Sequence, residues 1–192
     1  MGRLVQTKSN INIMKKTIIL SVLLSVGMLG VNANHANLSV KPHLKNPISK
    51  FQDEDKELTK DRWQWLATAS LNPEGAKKAI DNDPATRWET RVSQASGQFF
   101  ILDMNAANTV SKIVLDVTAS KNDSPKGYEV YMSNDGTNWG TVLASGAGAQ
   151  NETVIIFNKK TAGRYIKVIQ TGATGNYWSI HEFRVFGQAA KK

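Results

Sequence analysis

The segment Lys77-Lys78-Ala79-Ile80-Asp81-Asn82-Asp83-Pro84-Ala85-Thr86-Arg87-Trp88 gathers several oxygen donors into one short turn. The carboxylates of Asp81 and Asp83 and the hydroxyl of Thr86, with backbone carbonyls freed around Pro84, can wrap a hard cation. Calcium, which takes about six to eight oxygens at flexible geometry, suits such a turn better than magnesium or zinc. The same residues also read as a plain acidic turn between strands, and spacing alone does not separate the two. Other site chemistries are thinly supplied. The chain has 3 His and no Cys, which excludes a thiolate zinc site, a disulfide frame and a cysteine nucleophile. His181 and Glu182 are adjacent, but neighbours on a strand point to opposite faces, so they do not make an acid–base pair. A structural or surface histidine is expected there.

The elements that must position these groups are strands. From Asp61 to Gly187, short runs of Val, Ile, Tyr, Phe and Trp recur between turn residues: 63–70, 98–104, 110–118, 127–133, 141–146, 153–158, 164–171 and 179–187. Tyr128, Val130 and Met132 alternate with Glu129 and Tyr131, and Ile166, Val168 and Gln170 alternate with Tyr165, Lys167 and Ile169. Asp135-Gly136 and Gly146–Gly148 mark turns. About eight strands with no useful helical period predict an all-β antiparallel sandwich or jelly roll. Trp63 and Trp65, two apart, are expected to share a strand face.

Two segments precede this domain. Residues 14–33, MKKTIILSVLLSVGMLGVNA, start with two lysines, continue as an apolar stretch and end in small or permissive residues. That is the layout of an export signal, beginning at Met14 and removed after residue 33. Its apolar run is short for a membrane span, so no membrane insertion is expected after processing, a short membrane anchor being the alternative reading. The mature protein then belongs outside the cytoplasm, in the periplasm or secreted. Residues 34–60 are polar, contain Pro42 and Pro47, and read as a tether or ordered arm, with a short helix over 53–60 as one option. Residues 188–192 form a basic tail.

The order Ala79-x-Asp81 to Thr86-x-Trp88, the apolar run ending in Asp103, Tyr128-x-Val130-Tyr131-x-Ser133-x-Asp135-Gly136-x-x-Trp139, Arg164-Tyr165-Ile166 and Trp178-Ser179-Ile180-x-Glu182-Phe183-x-Val185-Phe186-Gly187 resembles a discoidin or F5/8 type C domain. Bacterial domains of this kind are chiefly carbohydrate-binding modules of family 32. The resemblance covers 61–187 and implies a galactose-binding-domain-like β-sandwich with a structural calcium. It assigns side-chain oxygens to Asp81, Glu182 and Thr86, and carbonyls to Lys78, Asp83 and His181. It places Trp88, Trp139 and Phe183 in the core.

The resemblance also implies that sugar is bound by loops 71–76, 89–97, 120–126 and 172–178 at the calcium end. These loops offer Glu89, Arg91, Lys121, Asn122, Asp123, Lys126, Asn176, Tyr177 and Trp178. Tyr177 is expected to be exposed; Trp178 either stacks on a sugar ring or seals the sandwich. Galactose-binding members often carry a His after the motif Trp and a second Trp downstream. Here Glu89 and Val92 stand at those places, which counts against the usual neutral-galactose site. Arg91, Lys121 and Lys126 instead suit the carboxylates of an acidic, uronate-type oligo- or polysaccharide such as polygalacturonate. Stand-alone periplasmic modules that bind polygalacturonate are a close parallel.

The net charge of +8 bears little on this reading. Residues 1–33 carry four Lys+Arg and no acid, whereas 61–187 carry 13 Lys+Arg and 12 Asp+Glu and are nearly neutral. A non-catalytic, monomeric, lectin-like module is therefore expected. Alternatives are a binder of neutral galactose-type glycans, a small uronide lyase or glycosidase, and a phospholipid-adhesive domain. A glycosidase needs two facing carboxylates, which the sequence does not place. Phospholipid adhesion needs apolar loop tips that these loops lack. Nucleic acid is not an expected partner, since no basic–aromatic stripe occurs.

Overall fold

The computed structural model describes residues 55–191. The export segment, most of the polar arm and Lys192 lie outside the described residues. Among the described residues the regular structure is antiparallel strand, with three short 3-10 turns over Arg62–Gln64, Pro73–Ala79 and Thr118–Ser120. The strands are β1 (Lys56–Glu57), β2 (Leu66–Ala69), β3 (Trp88–Glu89), β4 (Phe99–Asp116), β5 (Tyr128–Ser133), β6 (Ala144–Gly146), β7 (Glu152–Gln170), β8 (Ser179–Ile180) and β9 (Glu182–Gln188).

Two of these strands are much longer than the sequence pattern suggests. The runs 98–104 and 110–118 form one strand, β4, and the runs 153–158 and 164–171 form another, β7. Register shifts between Asp103 and Asn108 and between Val110 and Lys112 bend the pair without breaking it, and Asn105 takes a left-handed φ of 59° at the bend. Each long strand thereby serves both layers. In one layer the first half of β4 pairs with β2 and with the second half of β7, which continues into β5 and β6. In the other, the second half of β4 pairs with β9 and with the first half of β7, and β1 extends β9. A separate β3–β8 ladder joins Trp88 to Ile180.

The core fills the space between these layers. Phe100, Leu102, Val130, Ile166 and Val168 from one meet Ile113, Leu115, Ile155, Phe183 and Val185 from the other, all essentially inaccessible to water. Burying each such side chain contributes about 1.5–3 kcal/mol before the entropy of ordering is subtracted. Phe100 and Phe183 stack with ring centroids 5.7 Å apart. Trp88 meets Phe100 and Trp178 edge-on at 5.0 and 5.1 Å. The all-β sandwich expected from the sequence is therefore the observed architecture.

Several local expectations are corrected. Trp63 and Trp65 do not share a strand face, because Asp61 at φ 60° opens a 3-10 turn over Arg62–Gln64 and breaks the period of two. Trp65 is buried and Trp63 is 84% exposed. Trp139 is half-buried rather than in the core, lying beneath the Lys167 ammonium at 5.2 Å. The run 141–146 is strand only from Ala144, and 179–187 divides at His181 into β8 and β9. The folded domain also includes residues ahead of Asp61. Lys56 and Glu57 pair with β9, Leu58 N–H donates to the Val185 carbonyl at 2.8 Å, and the Leu58 side chain is buried. The edge of β9 offers unpaired backbone groups, so this stretch is extended rather than helical.

Arg164 grips Asp103 with two parallel hydrogen bonds, Nε to Oδ1 at 2.7 Å and Nη2 to Oδ2 at 2.8 Å. Burial pushes the Asp103 carboxyl upward, but these bonds and the Asn105 N–H hold it below its ordinary value. A carboxylate whose folded pKa is depressed adds stability above its unfolded pKa and loses it as pH falls through the folded value. The melting temperature should therefore drop as pH is lowered from about 5 towards 2. The Asp103→Asn variant should melt lower at neutral pH and show a shallower acid slope; a thermal-shift series across pH checks both.

Candidate functional site

Two adjoining groups of residues carry the candidate chemistry. The first is the Lys78–Thr86 turn with Glu182. The Thr86 hydroxyl lies 2.8 Å from Asp81 Oδ2, 3.3 Å from the Asp83 carbonyl and 3.4 Å from the Lys78 carbonyl. The turn is shaped from within: Asp83 N–H donates to Asp81 Oδ1 and Ala85 N–H to Asp83 Oδ1, while Asn82 sits at φ 62°. Four oxygen-bearing groups named from the sequence are thus brought together.

Glu182 is buried at the start of β9, where it feels the charge of Asp81. Its Oε2 accepts from Arg62 Nη2 at 2.5 Å, and Arg62 Nη1 donates to the Phe183 carbonyl at 3.0 Å. Its Oε1 is buried with no hydrogen-bond partner. Burial drives the Glu182 carboxyl upward and Asp81 adds to this, while the Arg62 guanidinium opposes it. Arg62 is in turn lowered by its own burial against the pull of Glu182. The hydroxyl, carboxylate and carbonyl oxygens of the turn are of the hard type that calcium takes, and Glu182 adds a carboxylate within electrostatic reach of Asp81. Among the described residues no group of three or more His, Asp or Glu side chains is close enough together to hold a metal ion. Arg62 was not singled out from the sequence. No spacing rule announces it, since its partners lie at the far end of the chain.

His181 is buried and structural. Its Nδ1 lies 2.9 Å from the Pro84 carbonyl and its Nε2 3.0 Å from Ser120 Oγ. Nδ1–H donating to the carbonyl leaves Nε2 to accept from the serine. Ser120 Oγ accepts in turn from Arg87 Nη1 at 2.6 Å, and Arg87 pairs with Glu89 at 2.7 Å. This chain of contacts links the acidic turn to the loop around Ser120 and occupies Glu89.

The second group is a depression of about 210 Å³ lined by Lys121, Asn122, Ser124, Lys126, Gln150, Thr174 and Asn176, with Pro125, Ala147 and Gly148. It brings together four of the residues named from the sequence: Lys121, Asn122, Lys126 and Asn176. Gln150, Ala147 and Gly148, from the β6–β7 connection, were missed. Glu89, Arg91 and Tyr177 are not part of this lining. Arg91 sits at φ 58° and faces Glu74 at 3.8 Å. Tyr177 is 42% exposed. Trp178 is wholly buried against Trp88, so it seals the sandwich and its ring is not available to a ligand.

The loops around the depression are held by Gln94 and Gln170, both buried. Gln94 Nε2 donates to the carbonyls of Ser124 at 2.9 Å and Tyr177 at 2.7 Å. Gln94 Oε1 accepts from Lys126 N–H at 2.8 Å and from Gln170 Nε2. Gln170 Oε1 accepts from Gly127 N–H at 2.9 Å. Asn176 Nδ2 reaches the Asn122 carbonyl at 3.1 Å, joining the two loops directly. Asp123 is directed away from the depression, accepting from Ser179 Oγ at 3.0 Å. No carboxylate lines the depression.

Residues 66–183 match the F5/8 type C domain model. The chain belongs to the F5/8 type C domain family. Among characterised proteins, this F5/8 type C domain is 30% identical over 141 residues to galactose oxidase of Gibberella zeae, covering 67% of this chain and 20% of that protein. The chain thus spans about a fifth of the curated relatives it matches. The solved module CpGH89CBM32-5 from Clostridium perfringens, in complex with GalNAc-β-1,3-galactose, is 25% identical with a TM-score of 0.59, covering 69% of this chain and 100% of that one. The family 32 module of AlyQ, in complex with 4,5-unsaturated mannuronic acid, is 25% identical with a TM-score of 0.52, covering 63% and 93%. The structural neighbours of this F5/8 type C domain thus include carbohydrate-binding modules of family 32.

Two substitutions probe how the site is held. Arg62→Ala leaves Glu182 buried and unpaired, and should cost about 3–5 kcal/mol of stability in denaturant unfolding. Gln94→Ala strips partners from several buried groups, each worth about 1–3 kcal/mol. Amide exchange over 120–127 and 172–178 should accelerate in that variant, more than in the core strands.

Proposed function

We propose that this chain is a non-catalytic carbohydrate-binding module that retains acidic, uronate-type oligo- or polysaccharide. The observation that carries this reading is the depression at Lys121 and Lys126. Two ammonium groups and three side-chain amides line it, and the one carboxylate of its loop, Asp123, is turned onto Ser179. A sugar carboxylate meets cations there, and ring hydroxyls meet Asn122, Gln150 and Asn176. The module of AlyQ in complex with 4,5-unsaturated mannuronic acid gives a precedent for a uronate on this fold. The complex of CpGH89CBM32-5 with GalNAc-β-1,3-galactose supports a second reading, in which the same depression takes a neutral galactose-type glycan through its amides.

The non-catalytic reading is supported by where the acids are. Glu89 is paired with Arg87, Asp123 is held by Ser179, and Glu182 is paired with Arg62. General acid–base hydrolysis of a glycoside needs two carboxyl groups free to face one bond. We assign Asp81, Thr86 and Glu182, with carbonyls of Lys78, Asp83 and His181, to a structural calcium ion. When bound, the ion supplies positive charge that neutralises two carboxylates and ties an early turn to the last strand. The segment 14–33 supports export, with the periplasm or the exterior as the place of action.

Titrating polygalacturonate and neutral galactan against the protein separates the two ligand classes. Uronate binding should weaken with salt, because exposed charge contacts are screened over about 10 Å at 0.1 M. Exposed ion pairs are worth about 0.2–1 kcal/mol each, so Lys121→Ala with Lys126→Ala should weaken it roughly tenfold. Salt-insensitive binding, or unchanged binding by that variant, overturns the cationic site. New reducing ends or unsaturated products overturn the non-catalytic reading. Calcium should raise the melting temperature of the native chain but not of Asp81→Ala, while leaving the preference between glycans unchanged.

A further inference from the structure

Trp63 is 84% exposed, the most exposed of the large hydrophobic side chains among the described residues. Its backbone is nevertheless firmly placed. The residues on either side are anchored: Arg62 is 4% exposed and bonded to Glu182 and Phe183, and Trp65 is buried with the Arg62 guanidinium 5.5 Å from its ring. The turn therefore presents an indole to solvent from a rigid base. Beside it lies a cleft of about 570 Å³, larger than the depression at Lys121, lined by Trp63, Leu66, Lys77, Ile80, Asp81 and Asn82 together with Arg62 and Trp65. Leu66 is also largely exposed.

The lining is mixed in a way that suits one class of ligand. A greasy peptide helix needs a continuous apolar groove, but here an aromatic face and a leucine stand among an ammonium, a carboxylate and an amide. A pyranose ring has that same division, with an apolar C–H face and a polar rim. We propose that Trp63 and this cleft form a second saccharide subsite, in which a pyranose packs its C–H face on the indole while Lys77 meets a carboxylate on its rim. This rests on the carbohydrate-binding reading of the fold, but not on the depression at Lys121. An indole on an anchored backbone has only two side-chain angles to fix on binding, so little entropy is lost, which is what a shallow sugar site requires. A long polysaccharide engaging both places gains affinity through effective concentration, whereas a short oligomer fills only one.

Acrylamide quenching of tryptophan fluorescence tests this in the full chain. Trp65, Trp88 and Trp178 are buried, so the quenchable emission comes mainly from Trp63, with Trp139 as the remainder. Saturating polygalacturonate should lower the quenchable fraction, and Trp63→Leu should remove that change. Polymer affinity should fall roughly tenfold in Trp63→Leu and by a smaller factor in Lys77→Ala, with melting temperatures unchanged, while binding of digalacturonate at the Lys121 depression stays as it was. If polymer binds and Trp63 stays fully quenchable, this subsite falls and the loop depression stands. If Trp63 is protected while Lys121→Ala with Lys126→Ala binds as well as the native chain, the loop depression falls and this subsite stands. Protection by neutral galactan alone overturns the role of Lys77. Weak quenching before any saccharide is added overturns the proposal, because the cleft would already be covered. No binding of either polymer overturns both sites.

Discussion

Gln94 and Gln170 form a buried amide pair on which the loop end of this domain depends. A primary amide removed from water must find partners for its N–H groups and its oxygen, or pay the full desolvation cost. Gln170 reaches this position because it ends β7 on the inward-facing register of Ile166 and Val168. Once it is there, its neighbours are constrained. Gln94 must donate to two different loops, and the backbone of Lys126 and Gly127 must turn inward to supply N–H groups. The shape of the depression follows from those requirements rather than from the residues that line it. Lys121, Asn122 and Asn176 are surface groups placed by buried amides that do not themselves line the depression.

A similar logic operates at the acidic turn. Glu182 is carried into the protein by the register of β9, since Phe183 and Val185 must enter the core. Its charge then has to be met, and Arg62 meets half of it while one oxygen stays unsatisfied. The pairing fixes the 3-10 turn at Arg62, and that turn in turn exposes Trp63 and buries Trp65. Charge compensation and aromatic display are thus parts of one arrangement. The His181–Ser120–Arg87–Glu89 series extends it to the loop end, so the two groups of site residues are mechanically joined.

The chain's positive excess has little to do with either site. The domain between Asp61 and Gly187 is nearly neutral, and most of the +8 lies in segments outside it. Cationic character at the depression is a matter of placement. Two lysines count there because Asp123 in the same loop is bonded to Ser179 and faces elsewhere.

What could be read from the chain alone was whatever local pattern and chemical type determine. Alternation placed Ile166, Val168 and Gln170 on one face, and the oxygen donors of the Asp81–Thr86 turn do gather around one hydroxyl. Of the loop residues that the sequence offers, Lys121, Asn122, Lys126 and Asn176 line one depression, while Glu89, Arg91, Tyr177 and Trp178 do not. The arrangements that long-range contact decides were not legible. Whether 98–104 and 110–118 are two strands or one depends on a bend stabilised by pairing with β7, a partner some fifty residues away. Trp63 and Trp65 obey the strand period in sequence, yet Asp61 and the Arg62–Glu182 pair rotate one outward and the other inward. Trp178 and Tyr177 are equivalent as aromatics on a loop, and only the position of Trp88 seals one of them away. Residue types thus determined by themselves which chemistry was available. Tertiary structure alone decided which of those groups face solvent, because burial is a property of contacts that no single stretch of chain contains.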